Sequence, residues 1–382
     1  MAHGSAASIE ERTGPDSTPG SRPGDARSLF NGALEAFERA CLRSGRVDSH
    51  YAAAGHRVAV ACAGTVLPAA LLPALGHLAD TALLAAPDRS GLIICAWEGS
   101  SADVVPPAPA WRDAGYLGNT ELPEYADGPV RAAFDSYLGM LSLYDVERQL
   151  ALFWLRDASH VPITLVGTPF RIILQWWAAQ HDAQLVHAAA VGTRHGAAVI
   201  SGPSGAGKST TALAALESGL LYLGDDFVLV KAGPAPEVCS LYCSAKVDDA
   251  TLATRFPSLR DAVHRRRRLE HEKEVLFVGQ RSIGRTTAAL PLRAILLPHV
   301  TGRDVSRLVR VGPGDALRSL LPGIFPFPGQ RHEAVSRLAR LTRQVPAYRL
   351  ELGHEGAEIA RTLQAFLDTF ATEHPDDRTR HP

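Results

Sequence analysis

The chain has 382 residues, 46% hydrophobic and 21% charged, enough to bury the cores of two ordinary domains. A formal net charge of −1 and a pI near 7.0 give no electrostatic reason to expect nucleic acid or an anionic membrane as partner. Five scattered cysteines, an odd number, suit a reducing cytoplasm better than a disulfide framework, and a cytoplasmic protein is expected.

Residues 1–27 are rich in Gly, Ser, Pro and charge and are expected to be a disordered tail, as is 373–382. The first residues show no basic start followed by an apolar run, so no signal peptide is expected. Over 28–180 the pattern predicts a smaller α+β accessory domain facing the substrate. Residues 29–42 have helical spacing and 56–62 alternate like a strand. The uncharged run 58–75 barely reaches spanning length and contains Pro68 and Pro73, so it reads as a buried strand followed by a helix. A strand at 91–97 and a loop with Pro106, Pro107 and Pro109 come next. Residues 130–143 suggest a helix, 150–155 a strand, and 169–180 a helix opened by Pro169 and carrying Trp176 and Trp177.

From 181 to 372 strands and turns predict an α/β nucleotide domain with a mixed sheet. One strand is expected over 184–191 and the next over 197–201. Further strands are expected at 220–223, 227–230, 238–242, 275–278, 292–297, 307–311 and 348–352, and helices at 209–218 and 331–344. A closing helix puts Ile359, Leu363, Phe366, Leu367 and Phe370 on one face.

Between the strand at 197–201 and the helix at 209–218 lie Gly202, Pro203, Ser204, Gly205, Ala206, Gly207, Lys208 and Ser209. They match G-x-x-x-x-G-K-[ST] at every fixed position. Backbone N–H groups can turn inward around phosphate oxygens only where glycine permits positive φ, and the following helix points its positive end at the anion. Lys208 is expected to reach the β and γ phosphates of ATP, and the Ser209 hydroxyl to coordinate Mg²⁺. An apolar strand then ends in Asp225 and Asp226. One carboxylate can bind the metal while the other accepts a proton from an attacking hydroxyl, and the residues alone leave open which does which.

The strand carrying His187, the loop 202–209 and the run Gly224, Asp225, Asp226 together resemble the catalytic domain of the HPr kinase/phosphorylase family. They look most like its shorter serine-kinase relatives, some of which act on ribosomal-peptide precursors. The resemblance covers roughly 181–320 and implies a fold related to phosphoenolpyruvate carboxykinase. It implies Asp225 as general base, Asp226 and Ser209 as magnesium ligands, and His187 near the γ-phosphate; a satisfied strand histidine is the other reading of His187. Thr210 stands where HPr kinase itself usually has a metal-assisting glutamate. The downstream glycine-rich signature linked to phosphorolysis and HPr docking is not found, so neither HPr as substrate nor the reverse phosphorylase reaction is expected, whereas kinase chemistry is.

Lys246 matches a stretch of the related kinases that contacts phosphate or acceptor; an ordinary surface lysine is the alternative. Arg265, Arg266, Arg267 and Arg268 read as a mixed-charge loop or as a lid over the phosphate. The sequence therefore predicts an ATP- and Mg²⁺-dependent kinase acting on a serine-type hydroxyl of a peptide or protein. A small-molecule kinase and a regulatory ATPase are the rivals. Family members are often homo-oligomers, although no heptad shows here.

Overall fold

The computed structural model describes residues 23–80, 91–107, 119–122, 125–159, 161–264, 273–280, 285–324 and 330–372. Helix α1 (Pro23–Ser44) begins inside the stretch expected to be a tail. Proline suits a first helical turn, and Arg27 donates a hydrogen bond to Glu147 at 2.6 Å, which fixes this part of the helix to the sheet beneath it. Then come β1 (Arg46–Ala53), β2 (His56–Ala63), α2 (Val66–Leu71), β3 (Leu92–Glu98), α3 (Gly99–Ala102), β4 (Asn119–Glu121), β5 (Val130–Asp135), β6 (Met140–Asp145) and β7 (Leu150–Leu155). They form one mixed sheet in the order β1-β2-β3-β7-β6-β5-β4.

Period-two alternation divides this sheet into two buried faces. Ala61, Cys95, Trp97, Leu152 and Trp154 point at Phe30, Ala33 and Phe37 of α1. Their neighbours Val60, Cys62, Ile94, Phe153 and Leu155 point the other way, into the core shared with the rest of the chain. The helix expected over 130–143 is instead the β5–β6 hairpin. Both faces of this hairpin are covered, so its apolar run lacks the alternation that marks a half-exposed strand.

Two helices, α4 (Ile163–Gly167) and α5 (Arg171–Gln180), lead to a second mixed sheet. Its first strands are β8 (Ala183–Val186), β9 (Ala189–Thr193) and β10 (Gly196–Ile200), followed by α6 (Lys208–Glu217), β11 (Leu221–Gly224), β12 (Val228–Lys231) and β13 (Glu237–Ser240). The chain continues through β14 (Ser244–Val247), α7 (Asp249–Arg255), β15 (Glu274–Phe277), β16 (Ala289–Arg303), β17 (Arg307–Val311), α8 (Pro313–Leu320), α9 (Arg331–Gln344), β18 (Ala347–Gly353) and α10 (Gly356–Asp368). The sheet path is β11-β9-β10-β16-β13-β12-β8, with β18 and β17 branching from β16; β14 and β15 pair separately.

The single strand expected over 184–191 is thus two strands, broken at His187 and Ala188, that lie toward opposite ends of this path. A flat sheet would hold β8 and β9 roughly 24 Å apart. The three backbone steps from Val186 to Ala189 span at most about 11 Å. The sheet must therefore roll until its ends meet. Residues 225–227 make the second such crossing, from β11 at one end to β12 near the other. Among the described residues no helix is long and apolar enough to cross a membrane.

Trp177 of α5 is 1% exposed in the core shared by both sheets, with its ring edge-on to His56 of β2 at 5.7 Å. Trp177→Ala is expected to cost about 3–5 kcal/mol of unfolding free energy, measured by denaturant titration.

Candidate active site

The glycine-rich loop joins β10 to α6, as the spacing predicts. Gly205 (φ +81°) and Gly207 (φ +103°) occupy the left-handed region that side chains disfavour. Gly207 caps α6, and a Cβ there would come within 2.6 Å of Leu352 Cδ1. Pro203, Ser204 and Gly205 are exposed; Gly202, Ala206, Ser209 and Thr210 are half-buried. Lys208 is buried, and its ammonium group donates to the carbonyls of Gly202 (2.8 Å) and Pro203 (3.1 Å). Burial lowers its pKa, partly opposed by the charges of Asp225 and Asp226.

The two aspartates sit in the crossing after β11 and differ sharply in surroundings. Asp225 is 2% exposed; its Oδ2 accepts the backbone N–H of Lys246 at 3.0 Å, and its Oδ1 has no hydrogen-bond partner among the described residues. Burial pushes its pKa up to about 6, and the neighbouring Asp226 adds to the rise. The Lys246 N–H and the Ser209 hydroxyl hold it down only in part. Asp226 is also desolvated, but His187 and Lys246 outweigh that and hold it below the usual carboxylate range. Its Oδ1 lies 3.0 Å from His187 Nε2, and its Oδ2 accepts from the Lys246 ammonium group.

His187 occupies the other crossing. Its backbone N–H donates to Gly323 at 3.0 Å, and its ring stacks on Phe227 with centroids 5.1 Å apart. Lys246, on β14, is mostly buried rather than an ordinary surface lysine. Its strand is fixed to its surroundings by Tyr222, whose hydroxyl donates to Ser244 O (2.9 Å), and by Ser244, whose hydroxyl donates to Gly167 O. The fold thus gathers Lys208, Ser209, His187, Asp225, Asp226 and Lys246 from four separate stretches of chain.

A cavity of about 360 Å³ opens beside His187, Asp226 and Lys246. Its remaining wall includes Met140, Phe153, Phe170 and Arg171, none of which carries a motif. Arg171, the first residue of α5, lies 5.3 Å from the Phe227 ring centroid, and burial lowers its pKa. Arg265, Arg266, Arg267 and Arg268 lie outside the described residues. Cys239 and Cys243 are buried free thiols, and among the described residues no group of three or more His, Cys, Asp or Glu could hold a metal.

No family model matches the chain. No curated protein matches it either. Among solved structures it is similar to the Hpr(Ser) kinase/phosphatase from Coxiella burnetii, at 12% identity and a TM-score of 0.27, over 50% of this chain and 90% of that one. A likeness this slight says nothing about chemistry, which must be read from the site itself.

Because the folded protein binds a proton at Asp225 more tightly than the unfolded chain, this group's contribution to stability falls as pH rises from about 4 to about 6. Asp225→Asn removes that dependence. Its unfolding free energy relative to the parent should rise by on the order of 3 kcal/mol between pH 4 and pH 7, read from denaturant midpoints.

Proposed function

We propose that the protein is an ATP-dependent kinase that transfers the γ-phosphoryl group to a serine-type hydroxyl, with a peptide or protein as acceptor. The observation that carries this reading is that one fold brings together a glycine loop at a helix N-terminus, with Lys208 buried behind it, and a carboxylate pair whose second member, Asp226, lines a cavity beside His187 and Lys246. A glycine loop at the N-terminus of α6 and the Lys208 ammonium group suit a triphosphate, for which Lys208 would exchange the carbonyls of Gly202 and Pro203.

The buried Oδ1 of Asp225, without a hydrogen-bond partner among the described residues, and the nearby Ser209 hydroxyl fit magnesium, which takes one or two protein oxygens and completes its shell with phosphate and water. Bound there, magnesium would supply charge neutralisation for the phosphates. This division favours Asp225 with Ser209 for the metal and leaves Asp226 for the acceptor, the reverse of what the resemblance implies. Asp226, not Asp225, lines the cavity, and geometry ranks ahead of pKa in choosing the group that meets the hydroxyl.

The acceptor oxygen bonds to the γ-phosphorus as the bond to the β–γ bridging oxygen breaks. ADP leaves with that electron pair, and the hydroxyl proton passes to Asp226, which His187 backs at 3.0 Å. In a loose phosphoryl transition state positioning counts for more than base strength, so the low basicity of Asp226 is no obstacle. Lys246 and His187 hold the carboxylate in place, and Lys246 also contributes positive charge near the transferring group. A cytoplasmic location fits this use of ATP, and no nucleic acid or membrane enters the reading.

Lys208→Ala should lower kcat/KM for ATP by about 10²–10³-fold, measured as transfer of label from γ-labelled ATP. Asp226→Asn should lose transfer to a similar extent while still binding nucleotide in equilibrium dialysis. Label recovered only as free phosphate, with none on any hydroxyl across a panel of serine peptides, would point to an ATPase instead.

A further inference from the structure

The cavity beside Asp226 has two unlike walls. One holds the polar groups of His187, Asp226 and Lys246. The rest of the lining comes from the first sheet and the helices that connect the two sheets; Leu138, Met140, Phe153, Leu165, Phe170 and Ile172 make it mainly apolar, interrupted by Ser142, two threonines and Arg171. Phe153 and Phe170 meet edge-on with centroids 5.0 Å apart, which gives that wall a fixed aromatic surface. Phe170 does so from φ +56°, a left-handed backbone that a bulky residue adopts only when its surroundings force it. At about 360 Å³ the space lies at the lower end of the range for small-ligand clefts, roughly 300–1,000 Å³. It suits one or two side chains, or a molecule of that size, rather than a folded protein surface.

We infer that the accepted hydroxyl is carried next to a large apolar group, and that this group fills the cavity between the two sheets while the hydroxyl lies at Asp226. The inference rests on the kinase reading and deepens it by naming the acceptor's chemistry. A hydroxyl flanked by charged or very small groups leaves the wall of Met140, Phe153 and Phe170 uncovered. It therefore gains none of the burial that would orient it for transfer. The apolar group belongs either to a peptide residue beside the serine or to a free alcohol, and the same contacts serve both.

The test uses the full chain and peptides of the form acetyl-Gly-X-Ser-Gly-amide, with X as Phe, Leu, Gly or Glu. Free 2-phenylethanol and free L-serine serve as the non-peptide pair. Binding is measured by calorimetry without nucleotide, and transfer separately with γ-labelled ATP. The Phe and Leu peptides should bind about tenfold or more tightly than the Gly and Glu peptides. Leu138→Asp, at a half-buried turn position, and Thr164→Trp, at an exposed one, should each erase that preference, with melting curves confirming that the variants fold. Competition by 2-phenylethanol but not L-serine would identify a free alcohol as the source; preference confined to peptides would identify a peptide. Equal binding of all four peptides, with no discrimination between the free compounds, would overturn the inference even if label transfer succeeds. Apolar preference without any transfer would leave the cavity assignment standing and sink the kinase reading instead.

Discussion

The site depends on the bond between His187 and Asp226, and that bond depends on how the second sheet rolls. His187 lies in the crossing from β8 to β9 and Asp226 in the crossing from β11 to β12. Each link is only two or three residues long, yet each joins strands toward opposite ends of the sheet path. Closing the roll forces both links into one seam, where the imidazole and the carboxylate meet at 3.0 Å. Neither residue needs a long flexible loop to reach the other, so little chain entropy opposes their meeting. Lys246, brought in on the separate β14–β15 pair, completes the seam from outside.

Adjacent carboxylates would ordinarily repel. Here their environments push them apart in acidity: Asp225 is desolvated and only partly compensated, whereas Asp226 has two cationic or hydrogen-bonding neighbours. Such a split lets one chemical group perform two tasks at one site. The more solvated, better-compensated member faces the cavity, and the buried one faces the glycine loop. The loop, the pair and the cavity therefore form one continuous path across the junction of the two sheets.

The glycine loop was legible in the sequence because its requirement is local: positive φ at Gly205 and Gly207, and a lysine and a serine at the start of a helix. The aspartate pair was legible by position, and Lys246 only through resemblance. The cavity was not, because its apolar wall is assembled by tertiary packing from β6, β7, α4 and α5. Reading 130–143 as a helix also hid Leu138 and Met140, since a hairpin buried on both faces loses its alternation. The break at His187 escaped notice for a related reason: Val186, Ala188, Ala189, Ala190 and Val191 are all buried, so nothing in their hydrophobicity marks where one strand ends and the next begins. Arg171 carried no signal at all, being a single arginine at the start of an apolar helix.

Phe170 ties a strained backbone to a buried ring. Glycine at that position would relax a left-handed backbone that costs of order 1–3 kcal/mol, but it would also remove a buried ring whose loss costs about 3–5 kcal/mol, so the exchange would weaken the protein. The same exchange would delete the ring that stands against Phe153, and with it half of the aromatic panel facing the carboxylate. Durability and recognition thus draw on the same ring, and a selection run on heat tolerance alone would keep it, strain included.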